Sequence, residues 1–287
     1  MSLSFVKLRF NARSFEVMNV IPKVIHYCWF GGNDLGEDEI RCIDSWRRFL
    51  PDYEIKRWDE TNWDVHCCEY VSEAYDAKQW AFVSDYARFD ILYKHGGLYF
   101  DTDVELIKPI DDILAKGPFM GFETDYNASG GPTVAAGLGL SANPGLDLYK
   151  DIIDSYVNNH FVKDDGSFNQ TTVVARVTEV LFEKGLKRVS GVQKVASVTI
   201  YPAEYFNPMD FLTGIISITE NTRSIHHFGM SWFDEKRKFE YNAGKWLRTH
   251  GIVRGCSVLA ALLTTIRFMD VERIRRKLIV ALSDGKK

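Results

Sequence analysis

Two carboxylates stand one residue apart, directly after an apolar run of the sequence. Asp101 and Asp103 follow Leu98–Phe100, a run that predicts a short buried strand. Because open α/β sheets bind ligands at the carboxyl ends of their strands, both acids are expected at such an edge. Hard oxygen ligands suit Mg²⁺ or Mn²⁺, and these ions suit a diphosphate. A bare Asp-x-Asp also occurs in solvated loops, so its surroundings decide between the two interpretations.

A second polar group, Ser84, Asp85 and Arg88, lies just upstream of the carboxylate pair. Asp85 and Arg88 are three residues apart, so they share one face of a predicted helix. One interpretation is an acid that balances the helix dipole, with a surface ion pair of little energetic value. The other is a clamp in which Asp85 accepts hydrogen bonds from sugar hydroxyls. Arg88 would then donate to a sugar or phosphate oxygen.

A third group contains adjacent histidines, His226 and His227, followed by Ser231 and Trp232. Neighbours on a strand face opposite ways, so at most one histidine is expected to reach a shared site. An imidazole can join a carboxylate on Mn²⁺, although a histidine pair in the core or on the surface is the common alternative. Trp29 and Trp232 are candidates either for core packing or for stacking against a base.

The order of the predicted elements is typical of an α/β fold. Val24–Trp29 and Tyr53–Trp58 read as strands around an amphipathic helix at Asp38–Leu50, which together form a βαβ unit. A helix is predicted at Val83–Lys94, with Ser84 as its N-cap, followed by the strand at Leu98–Phe100. Further along, the sequence predicts a helix opening at Asn143-Pro144, a helix at Thr171–Lys184, strands at Val198–Tyr201, Ile215–Thr219 and Ser224–Phe228, and helix from about Gly255.

Composition narrows the class of protein. The chain has 287 residues, 46% of them hydrophobic, which is enough for a substantial core. A formal net charge of −4 gives no general case for nucleic-acid binding. The five cysteines are odd in number and lack a Cys-x-x-Cys spacing, so we expect a reducing, cytoplasmic location. No apolar run reaches the ~20 residues needed to span a bilayer. Residues 1–17, which precede Met18, are interpreted as an extra N-terminal segment.

Three stretches of the chain carry a resemblance to a known family. They are IPKVIHYCWFGG (Ile21–Gly32), WAFVSDYARFDILYKHGGLYFDTDVEL (Trp80–Leu106) and SIHHFGMSW (Ser224–Trp232). They resemble the bacterial sugar transferases with a DXD motif, the glycosyltransferase family 32 group, over about residues 21–232. The glucosyltransferase domains of large clostridial toxins look like more distant relatives. The resemblance implies a GT-A fold, a nucleotide-sugar donor, a divalent cation and retention of the anomeric configuration.

The resemblance also implies a role for each matching residue. Trp29 would stack on the donor base, and Asp85 and Arg88 would hold the donor sugar. Asp101 would contact the ribose and sugar. Asp103 and His226 would bind Mn²⁺ or Mg²⁺, and Ser231 with Trp232 would close over the diphosphate. Asp101, Asp103 and Arg88 are the expected catalytic residues.

These expectations define one overall prediction. A Rossmann-like mixed sheet flanked by helices occupies residues 18–240, and a helical extension occupies residues 241–287. The activity is transfer from a nucleotide sugar, expected to be a UDP-sugar, to a saccharide or lipid-linked acceptor in surface polysaccharide synthesis. Alternatives are a nucleotide-sugar hydrolase, a protein-modifying glycosyltransferase, or a catalytically silent nucleotide-sugar or glycan-binding subunit. Basic residues of the extension, at Arg273, Arg275, Arg276 and Lys277, suggest either a packed terminal helix or a helix on the inner face of the membrane.

Overall fold

The structure is a computed structural model that describes residues 21–127, 131–229 and 235–269. Within these ranges the chain alternates strands and helices. The strands are β1 Val24–Cys28, β2 Glu54–Trp58, β3 Gly97–Tyr99, β4 Val104–Leu106, β5 Phe119–Thr124, β6 Thr133–Ala135, β7 Leu140–Ala142, β8 Gln193–Val195, β9 Val198–Tyr201 and β10 Ser224–His226. The helices are α1 Glu37–Phe49, α2 Glu69–Asp76, α3 Trp80–His95, α4 Asp111–Leu114, α5 Asp147–Asp154, α6 Val173–Glu183, α7 Ala203–Phe206, α8 Glu235–Thr249 and α9 Cys256–Arg267.

The sheet that carries the predicted site has the order β2-β1-β3-β7. Strand β1 pairs in parallel with both β2 and β3, and β7 closes the far edge by running antiparallel to β3. The close pairing requires Gly97, because its φ is +96° and a Cβ there would lie 2.6 Å from the carbonyl oxygen of Val24. The interior position of β3 delivers Asp101 to the carboxyl edge of the sheet. The α/β prediction, including its βαβ unit and its mixed sheet flanked by helices, is confirmed.

Two smaller sheets complete the framework. One has the order β6-β5-β9-β8, and the other is the antiparallel pair β10-β4. In the β10-β4 pair, His226 lies opposite Val104, the residue that follows Asp103. Helix α1 holds β4 in place, because the indole N–H of Trp46 donates to the carbonyl of Val104 at 2.7 Å and Ser45 Oγ accepts from Leu106 N–H.

The helix that carries Asp85 and Arg88 begins earlier than predicted. Gln79 is the N-cap of α3, and Ser84 lies inside the helix, where its hydroxyl donates to the carbonyl of Ala81. The N-cap prediction for Ser84 is therefore wrong. The physical reason is burial, because Val83 is fully buried in the core and extends the apolar face of the helix towards its N-terminus.

Other sequence-based boundaries also shift. The strand predicted at Ile215–Thr219 is absent from the described residues, where Ile216 makes only an isolated bridge to Met209. The helix expected to open at Asn143-Pro144 begins instead at Asp147. The last two helices of the described residues are α8, which begins at Glu235, and α9, which ends at Arg267. Residues 1–17 and the basic residues 273–277 lie outside the described ranges.

None of the helices in the described ranges is both long and apolar enough to cross a membrane.

Candidate functional site

A cavity of about 1010 Å³ opens at the carboxyl end of β3. Its lining brings together residues that are far apart in the sequence. The predicted residues on its wall are Trp29, Asp85, Arg88, Asp101, Asp103 and His226. They come from four parts of the framework, namely the end of β1, helix α3, the β3–β4 connection and strand β10.

Arg88 is buried and bridges the two acids nearest to it. Its guanidinium lies 2.9 Å from an oxygen of Asp85 and 3.3 Å from Oδ1 of Asp101. The Nε–H of Arg88 also donates to the carbonyl of Ser84, which fixes the plane of the guanidinium group. Burial opposes the charge, but Asp101, Tyr99 and Asp85 raise the pKa of Arg88 above its usual value. The guanidinium is therefore permanently charged, and it is held in one orientation.

Asp85 differs from an ordinary surface acid. Burial raises its pKa to about 6, although Arg88 acts in the opposite direction. The interpretation of this cluster as a solvated ion pair is therefore excluded, because both partners are largely removed from water. A buried carboxylate beside a fixed guanidinium can accept hydrogen bonds from hydroxyl groups of a bound ligand.

Tyr99, the last residue of β3, orients Asp101. Its hydroxyl donates to Oδ1 of Asp101 at 3.1 Å, and the guanidinium of Arg88 lies 5.0 Å from the centre of its ring. Burial raises the pKa of Tyr99 well above its usual value, so the phenol stays a donor. In the sequence, Tyr99 is marked only as part of the apolar run Leu98–Phe100.

Asp103 and His226 form an ion pair across the β4–β10 edge. Nε2 of His226 lies 3.1 Å from Oδ1 of Asp103, and the N–H of Gly229 donates to Oδ2 at 2.7 Å. Burial opposes ionisation of Asp103, but the charge and hydrogen bond of His226, together with Gly229, lower its pKa to about 2. His227 faces the other way and pairs with Glu105 at 2.7 Å, as alternation along a strand requires.

The donor set fits a divalent cation. One ligand atom each from Asp101, Asp103 and His226 can be chosen so that all lie within 4.8 Å of one another. Two carboxylate oxygens and an imidazole nitrogen suit Mn²⁺, and the oxygens alone suit Mg²⁺. Tyr99 supplies the outer hydrogen bond that commonly orients a ligating carboxylate.

Gly137 lies against the carboxylate of Asp101. A Cβ at this position would overlap Oδ2 of Asp101 and approach the guanidinium of Arg88 to 3.6 Å. The N–H of Asp101 also donates to the carbonyl of Gly137 at 3.2 Å. The sequence between β6 and β7 therefore needs a residue without a side chain, which explains one glycine of the glycine-rich stretch.

The remaining predicted residues divide into two groups. Trp29 lines the cavity, and its indole N–H donates to the carbonyl of Asn33 at 2.8 Å. Ser231 and Trp232 lie outside the described residues.

Glu123 and Asn207 are polar cavity residues that were not singled out from the sequence. Glu123 stands near the end of β5, and Asn207 follows α7. Glu123 follows the buried run Phe119–Phe122, the same strand-then-acid pattern that singled out Asp101. Asn207 carries no comparable pattern, because a single amide in a connection is an ordinary turn residue.

Comparison with known proteins identifies the region that carries these residues. A family model described as "Glycosyltransferase sugar-binding region containing DXD motif" matches residues 36–120. The matched part of the chain runs from α1 to the start of β5. It includes Asp85, Arg88, Asp101 and Asp103 but not His226.

Curated relatives match over similar lengths. Inositol phosphoceramide mannosyltransferase 1 of Schizosaccharomyces pombe is 32% identical over 128 residues, which cover 39% of this chain and 39% of that protein. An uncharacterised glycosyltransferase, L373, of Acanthamoeba polyphaga mimivirus is 32% identical over 110 residues, covering 35% of this chain and 42% of that protein. The chain thus spans about two fifths of the length of these relatives.

Solved glycosyltransferases show a looser similarity. The PaToxG glycosyltransferase aligns with a TM-score of 0.43 and 19% identity, covering 57% of this chain and 70% of that chain. The galactosyltransferase LgtC, in complex with donor and acceptor sugar analogues, aligns with a TM-score of 0.40 and 13% identity, covering 78% and 94%.

Proposed function

We propose that the chain is a metal-dependent, retaining glycosyltransferase that uses a nucleotide-sugar donor, with a UDP-sugar as the expected substrate. The observation that carries this proposal is the convergence of Asp101, Asp103 and His226 beside Arg88 in one cavity. The match of residues 36–120 to a DXD-type glycosyltransferase region supports it.

The proposed roles follow from the chemistry of each side chain. Asp101, Asp103 and His226 would hold Mn²⁺ or Mg²⁺, which supplies positive charge next to the diphosphate of the donor. The fixed guanidinium of Arg88 would stabilise the negative charge that develops on the departing nucleoside diphosphate.

Contacts with the rest of the donor would orient it. Asp85 and Asp101 would accept hydrogen bonds from hydroxyls of the donor sugar and ribose. Trp29 would stack on the base, and Ser231 with Trp232 would close over the diphosphate. Orientation of the anomeric carbon towards an acceptor hydroxyl supplies the remainder of the rate enhancement.

The donor site is tested by thermal unfolding of the full chain with UDP, GDP and their sugar conjugates, each with and without Mn²⁺. We expect one nucleotide to raise Tm only when Mn²⁺ is present, because the ion joins the diphosphate to the carboxylates. Asp103→Ala should abolish this shift. Asp52→Ala, a change at an exposed aspartate, is the matched control and should retain it.

The outcomes separate the alternatives. A shift without turnover favours the silent nucleotide-sugar-binding subunit, and release of nucleoside diphosphate without a glycosylated product favours a hydrolase. If no nucleotide raises Tm with any metal, the proposed donor site is refuted.

The acceptor is proposed to be a saccharide or a lipid-linked saccharide in cytoplasmic assembly of a surface polysaccharide. One relative is named for inositol phosphoceramide, a lipid acceptor, which supports a lipid-linked substrate for this chain.

Helix α9 also exposes apolar side chains along one face, with Val258 67% and Ile266 63% exposed and Leu262 between them. Arg254 and Arg267 flank this face in the sequence. We therefore include peripheral contact of the extension with the inner membrane surface.

Vesicle flotation tests this contact. The full chain should float with vesicles that contain phosphatidylglycerol and less with phosphatidylcholine alone, because the apolar face inserts and basic residues attract anionic lipid. Leu262→Glu with Ile266→Glu should reduce flotation severalfold. Val189→Glu with Val192→Glu, at exposed valines outside the extension, should leave it unchanged. Absence of flotation by the unmodified chain would refute the membrane contact.

A further inference from the structure

One wall of the cavity carries polar groups that the donor site does not use. Glu123 lines this wall from β5, at the irregularity in the β5–β6 pairing between Phe122 and Thr124. The carboxylate is half-buried, and its one hydrogen bond among the described residues is a 3.5 Å contact from Thr133 Oγ1. Such a distance is at the limit of a hydrogen bond, so the carboxylate retains nearly all of its capacity to accept.

Asn207 stands next to Glu123 in the same wall. Its side-chain Nδ2 donates to the backbone carbonyl of Glu123 at 3.0 Å. That bond fixes the orientation of the amide, because a carbonyl can only accept and must face the NH₂ group. The other end, Oδ1, is buried and has no hydrogen-bond partner among the described residues. A buried acceptor without a donor costs about 1–3 kcal/mol unless a ligand or water satisfies it.

Glu123 lies near His226, a residue of the proposed metal-binding cluster. Burial raises the pKa of Glu123, and the neighbouring imidazole of His226 partly offsets this effect, so the two side chains are within electrostatic reach. Arg88 and Asp85, by contrast, are supplied by α3 and already pair with each other. The Glu123–Asn207 wall is therefore a separate set of acceptors in the same cavity.

Apolar side chains continue this wall towards solvent. Met209, Phe211 and Leu212 line the cavity just beyond Asn207, and Leu212 is 51% exposed. The ring of Phe211 is held by Phe228 and Tyr241, with ring centres 5.0 and 4.8 Å away. A ring held in this way offers a rigid apolar surface to the C–H face of a sugar or to an alkyl group.

We infer that Glu123 and Asn207 form the subsite for a hydroxyl-rich acceptor, whose apolar portion lies against Phe211 and Leu212. Both polar groups accept hydrogen bonds, so the ligand must bring donors, and adjacent hydroxyls of a glycoside ring supply them. This inference rests on the proposed transferase function and assigns the acceptor side of the same cavity. It makes Glu123 a residue that positions an acceptor hydroxyl near the donor sugar.

The test measures acceptor binding separately from donor binding. Octyl glycosides of glucose, galactose and mannose are titrated into the full chain with Mn²⁺ and either UDP or GDP, and binding is followed by saturation-transfer NMR. We expect at least one glycoside to bind, and Glu123→Gln to weaken it about tenfold, because an amide NH₂ replaces one accepting oxygen. Asn207→Leu, which removes the unpartnered acceptor, should weaken it similarly. Glu54→Gln, an exposed change at the start of β2, is the matched control.

A second readout distinguishes this inference from the proposed function. The metal-dependent nucleotide shift in Tm should survive in Glu123→Gln and Asn207→Leu. If both variants bind glycosides as the unmodified chain does, or if no glycoside binds, the subsite is refuted while the nucleotide result stands. If Glu123→Gln abolishes acceptor-independent release of nucleoside diphosphate, Glu123 acts on the donor, and the acceptor assignment is overturned. Failure of the nucleotide shift in the unmodified chain refutes the transferase proposal instead.

Discussion

At the scale of single residues, the site balances one guanidinium against two carboxylates. Arg88 contacts both Asp85 and Asp101, and all three are largely shielded from water. Removing one member of such a buried group leaves an unpaired charge and commonly costs 3–5 kcal/mol. Truncations at these positions therefore mix a loss of folding with a loss of chemistry. The neutral groups around them allow a cleaner test.

Tyr99→Phe is the most informative of these changes. It removes the hydroxyl that orients Asp101 and should cost about 1 kcal/mol of stability. Because outer hydrogen bonds tune metal ligands, Mn²⁺ affinity should fall about tenfold or more. The measurements are urea unfolding and a Mn²⁺ titration followed by paramagnetic relaxation of water protons.

Tyr149→Phe is the matched control, because its buried hydroxyl donates to the carbonyl of Ser141 outside the cavity. It should lower stability by a similar amount and leave Mn²⁺ affinity unchanged. Equal loss of Mn²⁺ affinity in both variants would contradict the role assigned to Tyr99.

The sequence predicted the charged residues of the site better than the neutral ones. Asp101 and Arg88 carry charged groups, which can be recognised as candidates from the residue type alone. Tyr99 lies in an apolar strand, and only its last position, next to the carboxylate, turns its hydroxyl into a functional group. Asn207 depends still more on context, since its role comes from the one carbonyl that it contacts.

At the scale of elements, the connection between β6 and β7 shapes the metal site. Gly137 in this connection lies against the carboxylate of Asp101, close to the guanidinium of Arg88. Gly137→Ala should displace that carboxylate, lower Mn²⁺ affinity at least tenfold and abolish the nucleotide-dependent rise in Tm. The fold should persist, as measured by circular dichroism.

Gly145→Ala controls for the backbone cost of replacing a glycine. Gly145 has a φ of +76° and open space around it, so alanine there is strained but touches nothing. We expect about 1 kcal/mol of destabilisation with unchanged Mn²⁺ binding. Normal Mn²⁺ affinity in Gly137→Ala would show that the connection adapts and that the close approach is not required.

The elements around the DXD pair were predictable because apolar runs and turn residues mark them clearly. Ile215–Thr219 was predicted as a strand from its β-branched residues, but β propensity needs a neighbouring strand, and none pairs with this segment beyond one bridge. The start of α3 was missed for a related reason. Its first turn is fixed by burial of apolar residues against the core, whereas its N-cap residue makes no side-chain capping bond.

At the scale of the whole molecule, a buried histidine links the stability of the fold to pH. His26 in β1 contacts two other elements: its Nε2 meets the carbonyl of Gly96 at 3.0 Å, and its Nδ1 accepts from the indole N–H of Trp58. Both ring nitrogens are thus used by the neutral form. Burial lowers the pKa of His26 from 6.5 to about 4, with further contributions from His95 and Lys56.

The pKa in the folded state is below that in the unfolded chain, so between these values only the unfolded chain binds the proton. The free energy of unfolding should therefore be highest above about pH 7 and fall as the pH drops towards 4. His26 alone contributes up to about 3 kcal/mol to this loss.

Urea unfolding at pH 7.5 and pH 4.5, a range chosen as roughly spanning this titration, measures the effect. His26→Gln should be less stable at the higher pH but should lose less stability on acidification. His250→Gln, at an exposed residue of the extension, should follow the unmodified chain. An unchanged pH dependence in His26→Gln would show that other groups cause it.

The global arrangement was predictable only in part. The βαβ order fixes β1, β2 and their helix, and the parallel position of β3 follows from it. The second sheet around β5, which supplies Glu123, joins strands separated by about 75 residues of chain and leaves no local pattern. For this reason the sequence singled out the residues on one side of the cavity but not those of the opposite wall.

The antiparallel pairing of β4 with β10 has a consequence for the synthesis of the chain. His226 stands opposite Val104, so the third proposed metal ligand is translated 123 residues after Asp103. A chain still on the ribosome that lacks β10 has the two carboxylates without the imidazole. A divalent cation can therefore reach its full affinity only after β4 and β10 have paired. At a concentration 100 times its dissociation constant, it would then add about 2.7 kcal/mol to the stability of the finished molecule.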